Sequence, residues 1–352
     1  MHAPCTLLAL AALALPLHAA TDGYADVSPH QVGDALDTAA AKALVQRFEA
    51  RPHQPWREPR EADIPPGPEG DQIREGIDLM RNTAQRIGVL APDPTKRLNW
   101  NNLNCTNCHQ AGPSGLPGTK PFAVPLVNAM NDYPKYDSKS GKVLSLQARA
   151  LGMFGKAPVQ MTPDKPEFQA IMAYLAWLSK GSQPGAAMDG AGLMRFEPTK
   201  HAGNPVQGRK LYESMCQACH GADLQGMRKP GFEQGAGYQF PPLAGSDTYD
   251  NAGHMFAVPL LARYIRAAMP FGASWEQPQL TPTQALDIAA YVNDDATPRG
   301  QNPGRTSLYP NADTRPQGFA IPEHFTGRNG KLDKAAYLRA KNGPFKHINE
   351  NY

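Results

Sequence analysis

Charge, cysteine and long apolar runs are all scarce in this 352-residue chain. Charged residues make up 19%, below the usual share of about 25%. The formal net charge is only +3 and no Lys/Arg run stands out, which excludes a nucleic-acid-binding face built on a basic stretch. A single apolar run is long, TLLALAALALPLHAA at residues 6–20. It is too short to cross a bilayer, and it ends in small residues before the polar TDGYADV. This pattern predicts a secretory signal peptide cleaved after Ala19 or Ala20, a periplasmic mature protein and no transmembrane segment in it. Cys5 precedes the run, so it is not a lipoprotein cysteine and leaves with the signal. Proline is the residue in excess: 35 of them are about twice the usual share. They predict short helices and irregular backbone rather than a large sheet.

The remaining four cysteines fall into two copies of one unit, in NLNCTNCHQAG (102–112) and SMCQACHGADL (214–224). Each is Cys-x-x-Cys-His: Cys105, Cys108 and His109, then Cys216, Cys219 and His220. A thioredoxin-like redox pair does not need the trailing His twice, and a four-thiolate zinc site explains neither His. Covalent c-type haem attachment uses all three residues. The two thiols bond the haem vinyl groups, and the His is the proximal iron ligand. Two covalently attached haems are therefore expected.

Apolar spacing frames each unit with helices. Ile73, Ile77, Met80 and Ile87 lie upstream of the first, and Val206, Leu211, Tyr212 and Met215 upstream of the second. Closing helices follow, with Phe168, Ile171, Met172, Leu175 and Leu178 in one and Ala285, Ile288, Ala289 and Val292 in the other. Both closing helices have a Pro-rich start and carry Ala-Tyr-(Leu/Val). The chain reads as a diverged duplication of helix, haem motif, long loop, helix, and the Gly/Pro-rich SQPGAAMDGAG marks the boundary. The fold expected is mainly α. Its parts are a signal peptide (1–20), a Pro-rich N-terminal extension (21–62), cytochrome c domains over 63–185 and 186–300, and a C-terminal tail (301–352).

A second axial ligand comes from the loop before the closing helix, where Met is a common choice. For the second haem that is Met269 in RYIRAAMPFG, with Met255 and His254 as rivals. For the first haem Met153 and Met161 are equal on spacing, and Met130 is too near the motif. His30, His53, His201, His324 and His347 read as surface residues, Trp177 as helix packing, and the basic tail TGRNGKLDKAAYLRAKNGPFKH as a solvated segment.

On these residues the sequence resembles dihaem c-type cytochromes of the thiosulfate dehydrogenase type from about residue 63 to 346. The stretches that carry the likeness are IPPGPEGDQIREGIDLMRNT, LNCTNCHQAG, FQAIMAYLAWLSKG, FPPLAGSDTYDNAG, ARYIRAAMPFG, ALDIAAYVN and NGPFKHI. The resemblance implies two tandem class-I-like cytochrome c domains and supports Met269. Family enzymes join two thiosulfates into tetrathionate, or run the reverse, at a first haem whose distal ligand is a cysteine in Arg-x-x-Gly-Cys. The matching stretch here is RALGMFGK. Arg149 and Gly152 fit, Met153 stands at the cysteine position, and several residues are missing before Gly155. The resemblance tips the first-haem ligand to Met153, with Met161 the alternative.

A thiolate lowers the iron potential, whereas a neutral thioether raises it, and no thiolate remains to form a sulfur adduct. The favoured expectation is an exported dihaem electron carrier serving periplasmic donor and acceptor proteins. One alternative is a thiosulfate dehydrogenase or tetrathionate reductase with an altered first haem and small sulfur oxyanions as ligands. The other is a haem enzyme or sensor with an open distal site. The duplicated unit predicts that the intact mass of the exported protein exceeds that of the processed chain by two haems. One haem, or bound zinc, contradicts the duplication.

Overall fold

A computed structural model describes residues 25–346 except Pro198; the expected signal peptide and His347 lie outside the described residues. Ten α-helices run through them: α1 Thr38–Glu49, α2 Pro68–Arg81, α3 Thr83–Ile87, α4 Leu146–Leu151, α5 Pro166–Ser179, α6 Pro205–Met215, α7 Gln217–His220, α8 Val258–Ala268, α9 Pro282–Val292 and α10 Lys334–Asn342. Strand is confined to three two-stranded pairs. The first joins β1 His53–Gln54 to β4 Ala187–Met188 in parallel. The others are the antiparallel hairpins β2 Lys135–Asp137 with β3 Lys142–Leu144, and β5 Met227–Arg228 with β6 Tyr238–Phe240. No helix among the described residues is long and apolar enough to cross a membrane.

The helices begin where local chemistry starts them. α2, α5, α6 and α9 each have Pro at the first position, where a missing N–H costs nothing and φ is already helical. Asn204 caps α6 by accepting from Val206 and Gln207, and Thr281 with Gln284 forms a capping box on α9. The most extensive helix contacts are α2 on α5 and α6 on α9, and the two crossings are the same at residue level. A Cβ on Gly76 would lie 2.2 Å from the Ala170 carbonyl and 2.8 Å from the Tyr174 Cβ. A Cβ on Gly208 would lie 1.8 Å from the Asp287 carbonyl and 2.9 Å from the Tyr291 Cβ. Ala170 and Asp287 each stand four residues before the Tyr of the shared Ala-Tyr motif, so the duplication extends from sequence to backbone contact.

Around the crossings sit two cores. The first gathers Ile73, Ile77, Met80, Ile87, Phe168, Tyr174 and Leu178, and the second Tyr212, Leu261, Ile265, Leu286, Ile288 and Val292. Trp177 packs as expected, buried and stacked on Tyr174 with ring centroids 6.0 Å apart. Two expectations are corrected. Val206 is 65% exposed, because it lies in the first turn of α6, away from α9. The basic tail is not simply solvated. It contains α10, whose Tyr337 and Lys341 are both buried and converge on Asp295, so an ion pair and a phenolic hydrogen bond offset the cost of burying the lysine.

The tail also returns to the first half of the molecule. The Tyr309 N–H donates to the Lys139 carbonyl at 2.9 Å. The Asn311 amide donates to the Leu36 carbonyl at 3.1 Å and to the Tyr136 hydroxyl at 2.6 Å. These contacts bring the tail against the β2–β3 hairpin and the small core under α1 formed by Leu36, Ala41, Leu44, Tyr136 and Val143. The glycine crossing generates a test. Gly208→Ala forces α6 off α9 and should cost about 1–3 kcal/mol, as overpacking does. A thermal melt of the haem-loaded protein should show a lower midpoint, and an unchanged midpoint would mean that the crossing yields without cost.

Candidate functional site

Each Cys-x-x-Cys-His unit is wound into one tight turn. The His109 N–H donates to the Cys105 carbonyl at 2.9 Å, and the His220 N–H to the Cys216 carbonyl, also at 2.9 Å. The first turn is pinned to the start of α3. The Thr83 hydroxyl accepts from the Cys105 N–H at 3.0 Å, and the Asn104 side chain accepts from the Ala84 N–H at 2.9 Å. The second unit is continuous with α6, which ends at Met215 with Cys216 as its C-cap. The cysteines are not in disulfides. Burial raises the Cys105 thiol and pushes Cys216 up to about 11, so these are not the low-pKa thiolates of a redox pair. Among the described residues no three His, Cys, Asp or Glu side chains gather as a metal site, so the two cysteine pairs do not join in one zinc centre.

Both histidines are held in the same tautomer. His109 Nδ1 lies 2.7 Å from the Val124 carbonyl, and His220 Nδ1 lies 2.8 Å from the Pro241 carbonyl. A ring nitrogen facing a carbonyl must carry the proton, which leaves the lone pair on Nε2. Burial lowers the pKa of both rings and keeps them neutral. Neutral imidazole with an oriented Nε2 is the donor an iron porphyrin needs. Val124 has φ of +53°, uncommon for a β-branched residue. Its N–H is tied to the Gly192 carbonyl at 3.1 Å, so the strained residue that aims its carbonyl at His109 is itself anchored. Sequence reasoning missed Val124 and Pro241, since a backbone carbonyl leaves no mark in side-chain type.

The methionines separate by environment. Met269 is the C-cap of α8, its N–H bonded to the Ile265 carbonyl at 2.8 Å, and it borders the second core with Cys216 and Met255. His254 does not belong with them. Its ring stands edge-on to Tyr309 at 6.2 Å. Burial and the charges of Arg149 and Lys139 depress it to about 3, so it lies with the first half's charged groups. Met161 is 5% exposed within the first core, whereas Met153 is 49% exposed. Met153 precedes Pro166, the first residue of α5, by the same thirteen positions as Met269 precedes Pro282 at the start of α9.

Around Met153 the structure gathers groups from distant segments. Arg149 Nη1 lies 3.1 Å from Met153 Sδ, and Trp100 Nε1 donates to the Met153 carbonyl at 3.2 Å. The Lys156 ammonium sits 5.4 Å over the Trp100 ring and pairs with Asp250 at 2.5 Å. Lys139 joins them, its pKa lowered by desolvation and influenced by Asp250, Arg149, Asp137 and Lys156. The Tyr309 hydroxyl is buried with no hydrogen-bond partner among the described residues, and burial and the neighbouring Asp137 carboxylate raise its pKa. Three cations thus face two carboxylates, with two uncharged polar side chains beside them, the half-buried His254 and the buried Tyr309. Sequence reading singled out Arg149 alone of the cations, because Lys139, Lys156 and Asp250 meet only through tertiary folding.

Comparison with known proteins places these features. Residues 203–292 match the family described as cytochrome c oxidase, cbb3-type, subunit III. The chain is similar to the thiosulfate dehydrogenase of Stutzerimonas stutzeri, 30% identical over 251 residues, 69% of this chain and 73% of that protein. Similarity to the thiosulfate dehydrogenase of Allochromatium vinosum is 30% over 268 residues, 75% and 92% of the two chains. For that of Thiomonas intermedia it is 31% over 250 residues, 70% and 71%. Among solved structures the chain resembles thiosulfate dehydrogenase (TsdBA) from Marichromatium purpuratum in its as-isolated form, with TM-score 0.57 and 29% identity. That match covers 67% of this chain and 48% of the other, about half its length. The protein is a helix-rich c-type cytochrome with covalently bound haem. With relatives at 30% identity that it covers over as much as 92% of their length, the chain belongs to the thiosulfate dehydrogenase family.

Proposed function

We propose that this chain is an exported dihaem cytochrome that exchanges single electrons with a sulfur oxyanion of the thiosulfate class beside the first haem, and with a protein redox partner beside the second. The observation that carries this reading is the convergence of Lys139, Arg149 and Lys156 around Met153 in a chain of this family. The domains are the two tandem class-I-like units, 63–185 and 186–300, preceded by the extension 21–62 and followed by the tail 301–352. Cys105 and Cys108 would hold the first haem and Cys216 and Cys219 the second, with His109 and His220 as the iron-ligating histidines. Bound in this way, haem supplies reversible one-electron storage.

The chain's own residues do the rest. The Val124 and Pro241 carbonyls fix the ligating nitrogen of each histidine and raise its basicity. The three cations draw in a dianion. Two thiosulfate ions give one tetrathionate and two electrons, so each oxidation passes two electrons singly through the protein. Met269 would supply a second ligand to the second haem. Met153 would do so for the first, since its spacing to the closing helix repeats that of Met269, while Met161 is buried in the core. A thioether in place of a thiolate raises the potential of this centre and removes a covalent route for sulfur.

A second reading rests on that same substitution. Apart from Cys5, every cysteine of the chain belongs to a Cys-x-x-Cys-His unit, so no thiolate is left to face the substrate. On this reading the protein carries electrons without oxidising thiosulfate. Steady-state oxidation of thiosulfate with ferricyanide as acceptor decides between the two. Turnover above about one per second supports the oxidoreductase. Its KM should rise with salt, as the Debye length falls from about 30 Å at 0.01 M to about 8 Å at 0.15 M, and rise again in Lys156→Ala. Absence of turnover leaves the carrier.

The ligands are tested by spectroscopy. Met269→Ala should leave the second haem attached but high-spin and lower its potential; an unchanged spectrum passes the role to Met255. Met153→Ala should do the same to the first haem, and Met153→Cys should introduce a thiolate charge-transfer band in near-infrared magnetic circular dichroism. Two thioether bands persisting in Met153→Ala would assign the ligand to Met161.

A further inference from the structure

An electron entering at one haem site has to cross between the two halves of the chain to leave at the other. Several polar contacts join these halves. Asp247 accepts from the Asn102 N–H at 2.9 Å, and Lys156 pairs with Asp250. These contacts bypass both Cys-x-x-Cys-His units. One contact does not. The Tyr264 hydroxyl donates to the Cys108 carbonyl at 3.0 Å and accepts from the Gln110 amide at 3.1 Å. Cys108 is the second cysteine of the first unit, and Gln110 directly follows its histidine.

Tyr264 lies on α8, the helix that ends at Met269. The last turn of α8 closes with the Met269 N–H on the Ile265 carbonyl, one residue from Tyr264. A second first-half group touches the same helix end, the Lys120 ammonium donating to the Ala268 carbonyl at 3.4 Å. The helix that presents the second haem's methionine is therefore fastened to the attachment turn of the first haem. A fixed hydrogen bond between bonded segments provides a continuous path, whereas a gap across the interface does not.

Resting on the haem placement proposed above, we infer that Tyr264 is the positioning residue for electron exchange between the two haems, joining the Cys108 turn to the Met269 helix through its hydroxyl. It does not touch the sulfur substrate and does not ligate iron.

The test uses the dihaem protein without thiosulfate, so it is independent of whether thiosulfate is turned over. Flash photoreduction delivers one electron per molecule, and its redistribution between the haems is followed in their absorption bands. Tyr264→Phe keeps the ring and removes both hydrogen bonds. Redistribution should slow about tenfold, equal to about 1.4 kcal/mol, with both haems attached and their near-infrared magnetic circular dichroism unchanged. Asp247→Ala, which loosens the interface elsewhere, should lower the melting midpoint and leave the exchange rate near wild type. Wild-type exchange in Tyr264→Phe overturns the inference. So does slowing accompanied by loss of the Met269 signature, which would make Tyr264 a support for the ligand alone. If Tyr264→Phe fails to accumulate with two haems, Tyr264→Leu breaks the same bonds and is read by the same criteria.

Discussion

The close crossing of a glycine-bearing helix on an Ala-Tyr helix is the constraint on which the rest of the molecule depends. At Gly76 and Gly208 the two backbones approach so closely that no Cβ fits. Helix α6 runs from its crossing into Cys216 without a break, and α2 runs through the short α3, whose Thr83 and Ala84 grip the first attachment turn. The depth of the crossing therefore sets where each Cys-x-x-Cys-His turn lies relative to the core. A shift of either helix would carry its histidine away from the carbonyl opposite it.

That carbonyl is the second element both halves share, and they reach it by different means. In the second half Pro241, in the Pro-Pro pair that follows β6, supplies it. In the first it comes from Val124, held in a left-handed conformation and tied to Gly192 near the junction of the halves. The strain sits at a functional position and is anchored on both sides, as such strain must be to persist. The electrostatic result is the same in both halves: a neutral imidazole with Nδ1 committed to a backbone carbonyl.

The halves differ in the surroundings of their candidate methionines. The second half offers Met269 at a helix end among apolar neighbours. The first offers Met153 beside Arg149, Lys156 and Lys139, with Asp250 and His254 brought in from the second half and Tyr309 from the tail. Duplication produced two similar centres, and the contacts between halves made one of them polar. Tyr264 reaches back from α8 to the first attachment turn, so the specialised site and the plainer one are joined by a direct bond.

The sequence by itself determined the cofactor chemistry, the duplication, the closing helices and the methionine candidates. Each of these is local: five consecutive residues define an attachment turn, and apolar periodicity over a dozen residues defines a helix. The buried faces of α5 and α9 followed from that periodicity, whereas Val206, on α6, lies at a helix start where the period has only begun. Only the tertiary structure decided the rest. It alone paired Val124 and Pro241 with the histidines, brought Lys139, Asp250, His254 and Tyr309 to the surroundings of Met153, and buried Lys341 against Asp295. These groups lie up to about 170 positions apart in the chain, and backbone carbonyls carry no residue-type signal. A charge that is solvated in an isolated segment becomes part of a site only when another segment removes its water, and no local pattern records which segment that is.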